Sequence, residues 1–341
     1  MPTVQSPAEF KTDFLSRAVS AKHRVFIQAM VILSGRVMRE FEAVLAPLPS
    51  LGVDVRVQFD WITARHFQER IVFWPAFSFH RLPGFGELRR DTRKMFSRFL
   101  DAGITVTMIN HPGLLEQVFP IIGRNHIKIY LVDDCVWLGG LNLYDAAFEC
   151  VDVMVRYDDP RIADTLADQF RRVNDAARTE NTRIPLNLTD TLFIDAGIAG
   201  NSIIYEEAVS MVKNATHDVR YISQMVPEGK LLKTLLSRAR EGVSVDVITS
   251  QRSDALFTRW PFRIPYDRFC TAVSGEPNIQ LRHQSNRVHA KVLIVDNSSV
   301  LFGSHNLVDT GVMLGTAEIA VRSSESDLVR QIAAWSDENS L

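Results

Sequence analysis

Asn286–Asn306 reads NRVHAKVLIVDNSSVLFGSHN, and a second stretch, Arg124–Asn142, reads RNHIKIYLVDDCVWLGGLN. Each carries His-x-Lys, four further residues and then Asp, followed by a short apolar run that closes on Gly-Ser-x-Asn or Gly-Gly-x-Asn. The two histidines, His126 and His289, are separated by nearly half of a 341-residue chain. A pattern repeated at that distance predicts a duplicated domain, and the pattern is densest where the chemistry-bearing residues fall.

The surrounding composition is that of an ordinary globular protein, 46% hydrophobic and 23% charged, with ample material for one large core or two smaller ones. The formal net charge is −2, so no whole-molecule field draws the chain onto nucleic acid, and any basic surface must be local. Cys135, Cys150 and Cys270 lie in unrelated settings, with neither metal-ligand spacing nor a disulfide framework, which favours a reducing compartment. Cys135 and Cys150 sit in apolar runs, where cysteine serves as a small hydrophobe. The first residues, MPTVQSPAEFKTDFLSRAVSAKHR, are polar and lack the apolar core of a signal peptide. The longest apolar run near them, Val25 to Leu33, falls far short of the roughly 20 residues of a spanning helix. The expectation is a cytoplasmic protein, peripheral at most to the inner membrane.

Periodicity organises the rest. Helical spacing over residues 8–22 is followed by a strand from Val25 to Leu33, a helix from Val37 to Leu45 and a strand from Val53 to Phe59. A helix from Leu88 to Leu100 and a strand from Ile104 to Ile109 complete the first pass, with a turn at 110–113. The second half begins after a polar, proline-containing stretch, Arg178 to Asp195, taken as linker. It continues with helix Ser202–Lys213, strand Val219–Ser223, helix Lys230–Arg240 and strand Val243–Thr249. LGVDVRV at 51–57 and EGVSVDV at 241–247 are the same helix-glycine-strand step. These signals predict an α/β fold in two halves, residues 1–178 and 179–341, each a mixed, mostly parallel sheet flanked by helices. Two further stretches, Ile71–Phe85 and Phe257–Phe269, combine aromatic residues, Trp-Pro pairs and arginines. Their proline density reads as loop, suited either to a lipid surface or apolar substrate mouth or to folding back over the core.

Within the twin stretches, His126 and Lys128 share a strand face, as do His289 and Lys291. Folding each stretch about its polar turn brings Asn142 opposite His126 and Asn306 opposite His289. Gly139, Gly140 and Gly303 then leave the floor of the site open. One His, one Lys and one Asn per half suit a phosphodiester. Lysine and asparagine meet phosphoryl oxygens, one histidine attacks phosphorus, and a protonated second one gives its proton to the leaving oxygen. Asp133 and Asp296, seven residues after each histidine, are out of phase with it and belong to the turn.

The paired motifs resemble the phospholipase D superfamily, whose signature is His-x-Lys-x4-Asp followed by Gly-Gly/Ser-x-Asn, twice per site, and the resemblance runs from roughly Val25 to Val321. It implies a phospholipase D-like fold in which two α/β halves meet with the active site at their interface. It also implies catalysis without cofactor or metal. In that family the first histidine forms a phosphohistidine and the second is the acid and base. His126 and His289 would take these roles, with Lys128, Lys291, Asp133 and Asp296 completing the catalytic motifs and Asn142, Ser304 and Asn306 binding phosphoryl oxygens. A carboxylate on a later strand orients each histidine in the family. Aligning DVMVR (152–156) with EIAVR (318–322) offers Asp152 and Glu318. Of the other histidines, His305 should point away from the site, and His66, His80, His111 and His283 read as surface or loop residues, with lining the mouth of the site as the alternative.

Within the superfamily the first half is most similar to bacterial cardiolipin synthases and related phosphatidyltransferases, although LVDTGVMLGTAE after Asn306 lacks the Asp-x-Arg-Ser typical of them. The expected substrate is a phospholipid, hydrolysed or transferred to an alcohol, with membrane contact through 71–85 and 257–269. The alternative is a nuclease using a local groove around Arg89, Arg90, Arg93, Lys94 and Arg98. A third reading is a lipid-binding scaffold without catalysis. Two motifs in one chain remove any need for an oligomer.

Overall fold

A computed structural model describes residues 2–67, 70–71, 84–111, 113, 120–172, 180–251 and 263–339. The chain divides into two compact units. One comprises Met1–Phe148 with Met154–Thr179, the other Glu149–Val153 with Glu180–Leu341. Five residues that follow the first motif thus belong to the second unit.

The strands of the first unit are β1 (Thr3–Gln5), β2 (Arg24–Ala29), β3 (Asp54–Asp60), β4 (His66–Phe67), β5 (Arg70–Ile71), β6 (Thr105–Ile109), β7 (Ile129–Val132), β8 (Cys135–Gly139) and β9 (Met154–Asp158). Seven of them form one sheet in the order β1-β9-β8-β7-β2-β3-β6, while β4 and β5 pair separately. Helix α1 (Pro7–Val19) starts at a capping box in which Ser6 and Glu9 satisfy each other's backbone N–H groups. Its Phe10, Phe14 and Ala18, spaced four apart, bury one face. They meet Tyr130, Trp137 and Phe41 of helix α2 (Arg36–Leu45) in an aromatic cluster, with the Phe10 and Tyr130 rings 4.9 Å apart. Val25, Ile27 and Ala29 of β2 join this cluster. Phe26, one residue out of phase, stacks instead on Phe170 of the helix Pro160–Arg171. A strand buried on both faces reads as an apolar run, as Val25–Ile27 of β2 does before the buried Gln28. Helix α3 (Phe85–Asp101) adds Met95, Phe96 and Phe99 to the core.

The second unit repeats the plan. Its strands are β10 (Thr182–Pro185), β11 (Asp190–Ala196), β12 (Asp218–Ser223), β13 (Ser244–Ser250), β14 (Ile279–Gln284), β15 (Lys291–Val295), β16 (Ser299–Gly303) and β17 (Ala317–Ser323). They form an eight-stranded sheet in the order β10-β11-β17-β16-β15-β12-β13-β14. The helices Ile203–Lys213, Gly229–Arg240 and Arg263–Val273 bring Ala208, Leu235 and Phe269 into one core with Val245, Val247 and Tyr221.

Three expectations change. The sheets are mixed, as read, but only one end of each is parallel: β2-β3-β6 and β12-β13-β14 run parallel, and the other pairings of the described strands are antiparallel. The stretch 178–195 is more than linker, since Thr182–Pro185 and Asp190–Ala196 form an antiparallel hairpin at the sheet edge. Its turn is held by Asn187, whose Oδ1 accepts from the Thr189 and Asp190 N–H groups at 2.8 Å each. Pro185 suggests a break in structure, yet an edge strand tolerates a missing N–H. Of the two aromatic stretches, residues 72–83 and 257–262 lie outside the described residues, and so does the lipid contact expected of them. What is described is regular: Phe85 opens α3, and 263–269 begins the helix Arg263–Val273, with Pro265 in a first turn where its missing N–H is tolerated.

Candidate active site

Each twin stretch is a hairpin whose turn begins with an aspartate in the left-handed region, Asp133 at φ 50° and Asp296 at φ 52°. The carboxylate of Asp133 accepts from the N–H groups of Lys22, His23 and Arg24 at 2.9, 2.8 and 3.0 Å. Asp296 does the same for Thr216, His217 and Asp218 at 2.9, 2.7 and 3.1 Å. Burial alone would raise both carboxyl groups, but these amides hold them below the ordinary aspartate range. The aspartate of each motif is therefore a clamp on the chain leading into β2 or β12. Grouping Asp133 and Asp296 with the catalytic residues does not fit this geometry, because their oxygens are engaged at the turn.

The ladder also runs one residue out of step with the expected pairing. Tyr130 faces Trp137 and Val132 faces Cys135, while Val292 faces Phe302 and Val295 faces Ser299. Pairing ends before either histidine, so Asn142 and Asn306 are placed by other bonds. Asn142 is buried, and its Oδ1 accepts from the Val31 N–H at 3.2 Å. In Asn306 the backbone carbonyl accepts from the Tyr221 hydroxyl at 2.9 Å, and the buried Oδ1 has no partner among the described residues.

In the first unit, Lys128 is wholly buried, and its Nζ donates to the carbonyl of His126 at 2.7 Å. His126 itself is half-buried. The segment before it is fixed by Asp60 at the end of β3, a residue absent from the sequence-based candidates. The buried Asp60 carboxylate accepts from Arg124 Nη1 at 3.1 Å, Asn110 Nδ2 at 2.9 Å and the N–H groups of Asn125 at 2.7 Å and Ile62 at 2.8 Å. Burial still pushes the carboxyl up, against the Arg124 charge and these hydrogen bonds. Four donors, one of them a guanidinium, are what a buried carboxylate needs. The sequence signal for it is QFDW, an acid closing an apolar strand.

The second unit holds the most fully built group. Val151 forms a parallel bridge with Val288. The Val151 carbonyl accepts from the N–H groups of His289 at 2.8 Å and Ala290 at 3.0 Å. These bonds sew residues 149–153 onto the segment that carries the second motif. Asp152 is thereby delivered to His289, and its Oδ2 lies 2.7 Å from Nδ1 of the imidazole. Its other oxygen, Oδ1, accepts from the Val153 N–H at 2.8 Å. Burial alone would raise the Asp152 carboxyl, but the hydrogen bond from His289 and the charges of His289 and Lys291 hold it low. Lys291 donates to the carbonyl of His289, and burial pushes its ammonium down to about 8, against the pull of Asp152 and Glu318.

Glu318 is buried on β17 and receives the Ser304 hydroxyl, while Ser304 Oγ accepts from the Ile319 N–H at 2.9 Å. The Ser304 hydroxyl is engaged by the Glu318 carboxylate and the Ile319 carbonyl, where the resemblance implies a phosphoryl ligand. Gly303 likewise does not open a site floor: a Cβ there would lie 2.6 Å from Cα of Ala320, so the glycine lets β16 and β17 approach. His305 is buried, with its Nδ1 accepting from the Leu307 N–H at 2.7 Å. His66 is also buried and packs against the Tyr144 ring, so it is not the surface residue expected. His283 bonds the Tyr266 hydroxyl at 2.6 Å and His111 is exposed, while His80 lies outside the described residues. Among the described residues, no group of three or more His, Cys, Asp or Glu side chains is placed to hold a metal ion.

Duplicated units, each with a His-Lys pair ahead of a hairpin and an aspartate clamp at its turn, define a phospholipase D-type protein. The chain belongs to the family described as "Cardiolipin synthase, PLD-like domain", whose model matches residues 14–174 and 208–339. It is 22% identical over 237 residues to cardiolipin synthase A of Buchnera aphidicola subsp. Acyrthosiphon pisum (strain APS), a match covering 61% of this chain and 46% of that protein. Cardiolipin synthase A of Buchnera aphidicola subsp. Baizongia pistaciae (strain Bp) is 23% identical over 248 residues, covering 65% of this chain and 50% of that one. The chain therefore spans about half the length of the curated relatives it matches. The solved structure of phosphatidylserine synthase from Haemophilus influenzae Rd KW20 matches with a TM-score of 0.74 over 98% of this chain and 85% of that one. At 14% sequence identity that likeness establishes the fold. No described helix is long and apolar enough to cross a membrane.

Proposed function

We propose that this chain is a phosphatidyltransferase of the cardiolipin synthase type, acting on a phospholipid through a phosphohistidine. His126 is the nucleophile: an imidazole nitrogen attacks phosphorus, the bond from phosphorus to the leaving oxygen breaks, and that oxygen takes a proton from His289. In the second step an alcohol or water gives its proton to His289 and attacks phosphorus, which breaks the phosphorus–nitrogen bond. Lys128, Lys291, Asn142 and Asn306 meet the charge on the phosphoryl oxygens, Lys291 as a cation below pH about 8.

The observation that carries this reading is the 2.7 Å contact between His289 Nδ1 and Asp152. A buried carboxylate on one ring nitrogen fixes the tautomer, supports the imidazolium and leaves Nε2 to move a proton. Membership of the cardiolipin synthase family supports phospholipid as the substrate.

The test is incubation of purified protein with phosphatidylglycerol vesicles, followed by mass spectrometry of the lipids, with a DNA duplex offered in parallel. New phosphatidyl products that vanish in His126→Ala are the expected result. Cleavage of DNA without any lipid product would overturn the proposal in favour of a nuclease.

A further inference from the structure

Outside the motifs, the most distinctive surface of the first unit is the exposed side of α3. Gly86, Arg90, Arg93, Lys94 and Ser97 recur at the spacing of one helix face, opposite the buried Met95 and Phe99. With Arg98 they line a hollow of about 540 Å³. Small residues, Gly86 and Ser97, sit on either side of the cations, which leaves room for a ligand between the long basic side chains.

Three of the four cations there are not neutralised. Arg98 is paired with Glu42, its Nη2 donating at 2.8 Å. Among the described residues, Arg90, Arg93 and Lys94 have neither ion-pair nor hydrogen-bond partners. Like charge accumulates along the helix, since burial and then the neighbouring Arg93 both disfavour the charge on Arg89. Such a cluster destabilises the isolated protein through self-repulsion and is relieved by an external anion.

We propose that this face of α3 docks the protein onto an anionic phospholipid bilayer, with Arg90, Arg93 and Lys94 meeting lipid phosphates. Two features favour a bilayer over nucleic acid. The stripe from Gly86 to Ser97 is short, about 17 Å at the helical rise, and Glu87, Asp91 and Asp101 punctuate the same helix. A duplex demands a longer uninterrupted basic track, whereas a bilayer offers phosphates at any lateral spacing. Leu100, 58% exposed, lies on the same side one turn beyond Ser97, where an apolar side chain suits the headgroup boundary and not a phosphate backbone.

Adsorption is distinct from chemistry, and loss of binding is read without any turnover, so failure here and failure of the proposed reaction are told apart. The triple change Arg90→Glu, Arg93→Glu, Lys94→Glu is compared with wild type by cosedimentation with vesicles of phosphatidylglycerol and phosphatidylcholine, and with vesicles of phosphatidylcholine alone. Each cation near an anionic surface contributes about fivefold, so losing three should lower partitioning on the order of a hundredfold at low salt, and the three carboxylates added in their place should lower it further. Wild type should ignore neutral vesicles, and raising the salt should release it from anionic ones. The conservative triple change Arg90→Lys, Arg93→Lys, Lys94→Arg should keep binding, which separates charge from damage to the helix. Undiminished partitioning of the folded Glu variant, equal binding to neutral vesicles, or tighter binding of wild type to a DNA duplex than to anionic vesicles would each overturn the proposal.

Discussion

The carboxylate of Asp152 lies 2.7 Å from Nδ1 of His289, although 137 residues separate them. An acid that follows the first motif in sequence thus serves the histidine of the second. The crossing comes from residues 149–153, which leave their own repeat and bridge to Val288. Asp152 is a positioning residue in the proposed reaction, and Asp152→Asn should keep the shape while removing the charge. We predict a fall in kcat of about 10²- to 10⁴-fold with KM little changed. The imidazolium of His289 loses its support, so the alkaline limb of the kcat profile should move to lower pH. A purely structural role would lower the amount of folded protein and leave the profile of what remains unmoved.

Lys291 gives a pH dependence whose sign can be worked out. Burial holds its ammonium at about 8, below the ordinary lysine value of about 10.4. Between those values the unfolded chain binds the proton and the folded chain does not, so stability rises with pH across that window. In the proposed reaction, activity should move the other way, falling above about pH 8 as Lys291 loses the charge proposed to meet the phosphoryl oxygens. In Lys291→Met the rise in melting temperature between about pH 8 and 10 should shrink. An identical rise in wild type and variant would show that Lys291 does not titrate there.

Ser304 separates two roles by kinetics. If its hydroxyl positions Glu318, Ser304→Ala should lower kcat by roughly tenfold and leave KM alone, since the lost hydrogen bond is not to substrate. If it held a phosphoryl oxygen in the ground state, KM would rise instead.

The turn aspartates should matter for stability and little for chemistry. Each carboxylate collects three backbone N–H groups and is held below the ordinary value of about 3.9. That contribution is fully present above the ordinary value and disappears as pH falls through the lower folded value. Asp133→Asn and Asp296→Asn should each cost about 1–3 kcal/mol at neutral pH in urea melts, and the cost should vanish in acid. A loss of turnover in a fully folded variant would return these residues to the reacting set.

Much of this architecture is legible in the sequence. The twin motifs, the helix-glycine-strand steps and the alternating helices and strands over 8–109 and 202–249 can be read because they rest on local periodicity, whereas the edge hairpin at 182–196 and the helices Pro160–Arg171 and Ser326–Glu338 are not. Register cannot be read. Asp133 and Asp296 in the left-handed region set the turn length, and a shift of one residue moves every facing pair. The partners of Asp152 and Ser304 are equally hidden, because both depend on which strands lie side by side. Aligning DVMVR with EIAVR marks the two carboxylates, yet it carries no information on which histidine each will meet. Asp60 escapes notice because a lone acid at a strand end becomes informative only when its four donors are seen together.

The most direct test of the proposed chemistry is rapid quenching with denaturant at mildly alkaline pH after mixing with phosphatidylglycerol vesicles, followed by mass spectrometry of the protein, in wild type, His126→Ala and His289→Ala. With His126 as nucleophile and His289 as acid and base, a phosphatidyl adduct should form on His126. It should accumulate in His289→Ala, where its breakdown is slowed, and be absent from His126→Ala together with all lipid product. An adduct on another residue, or undiminished product from His126→Ala, would contradict the assignment.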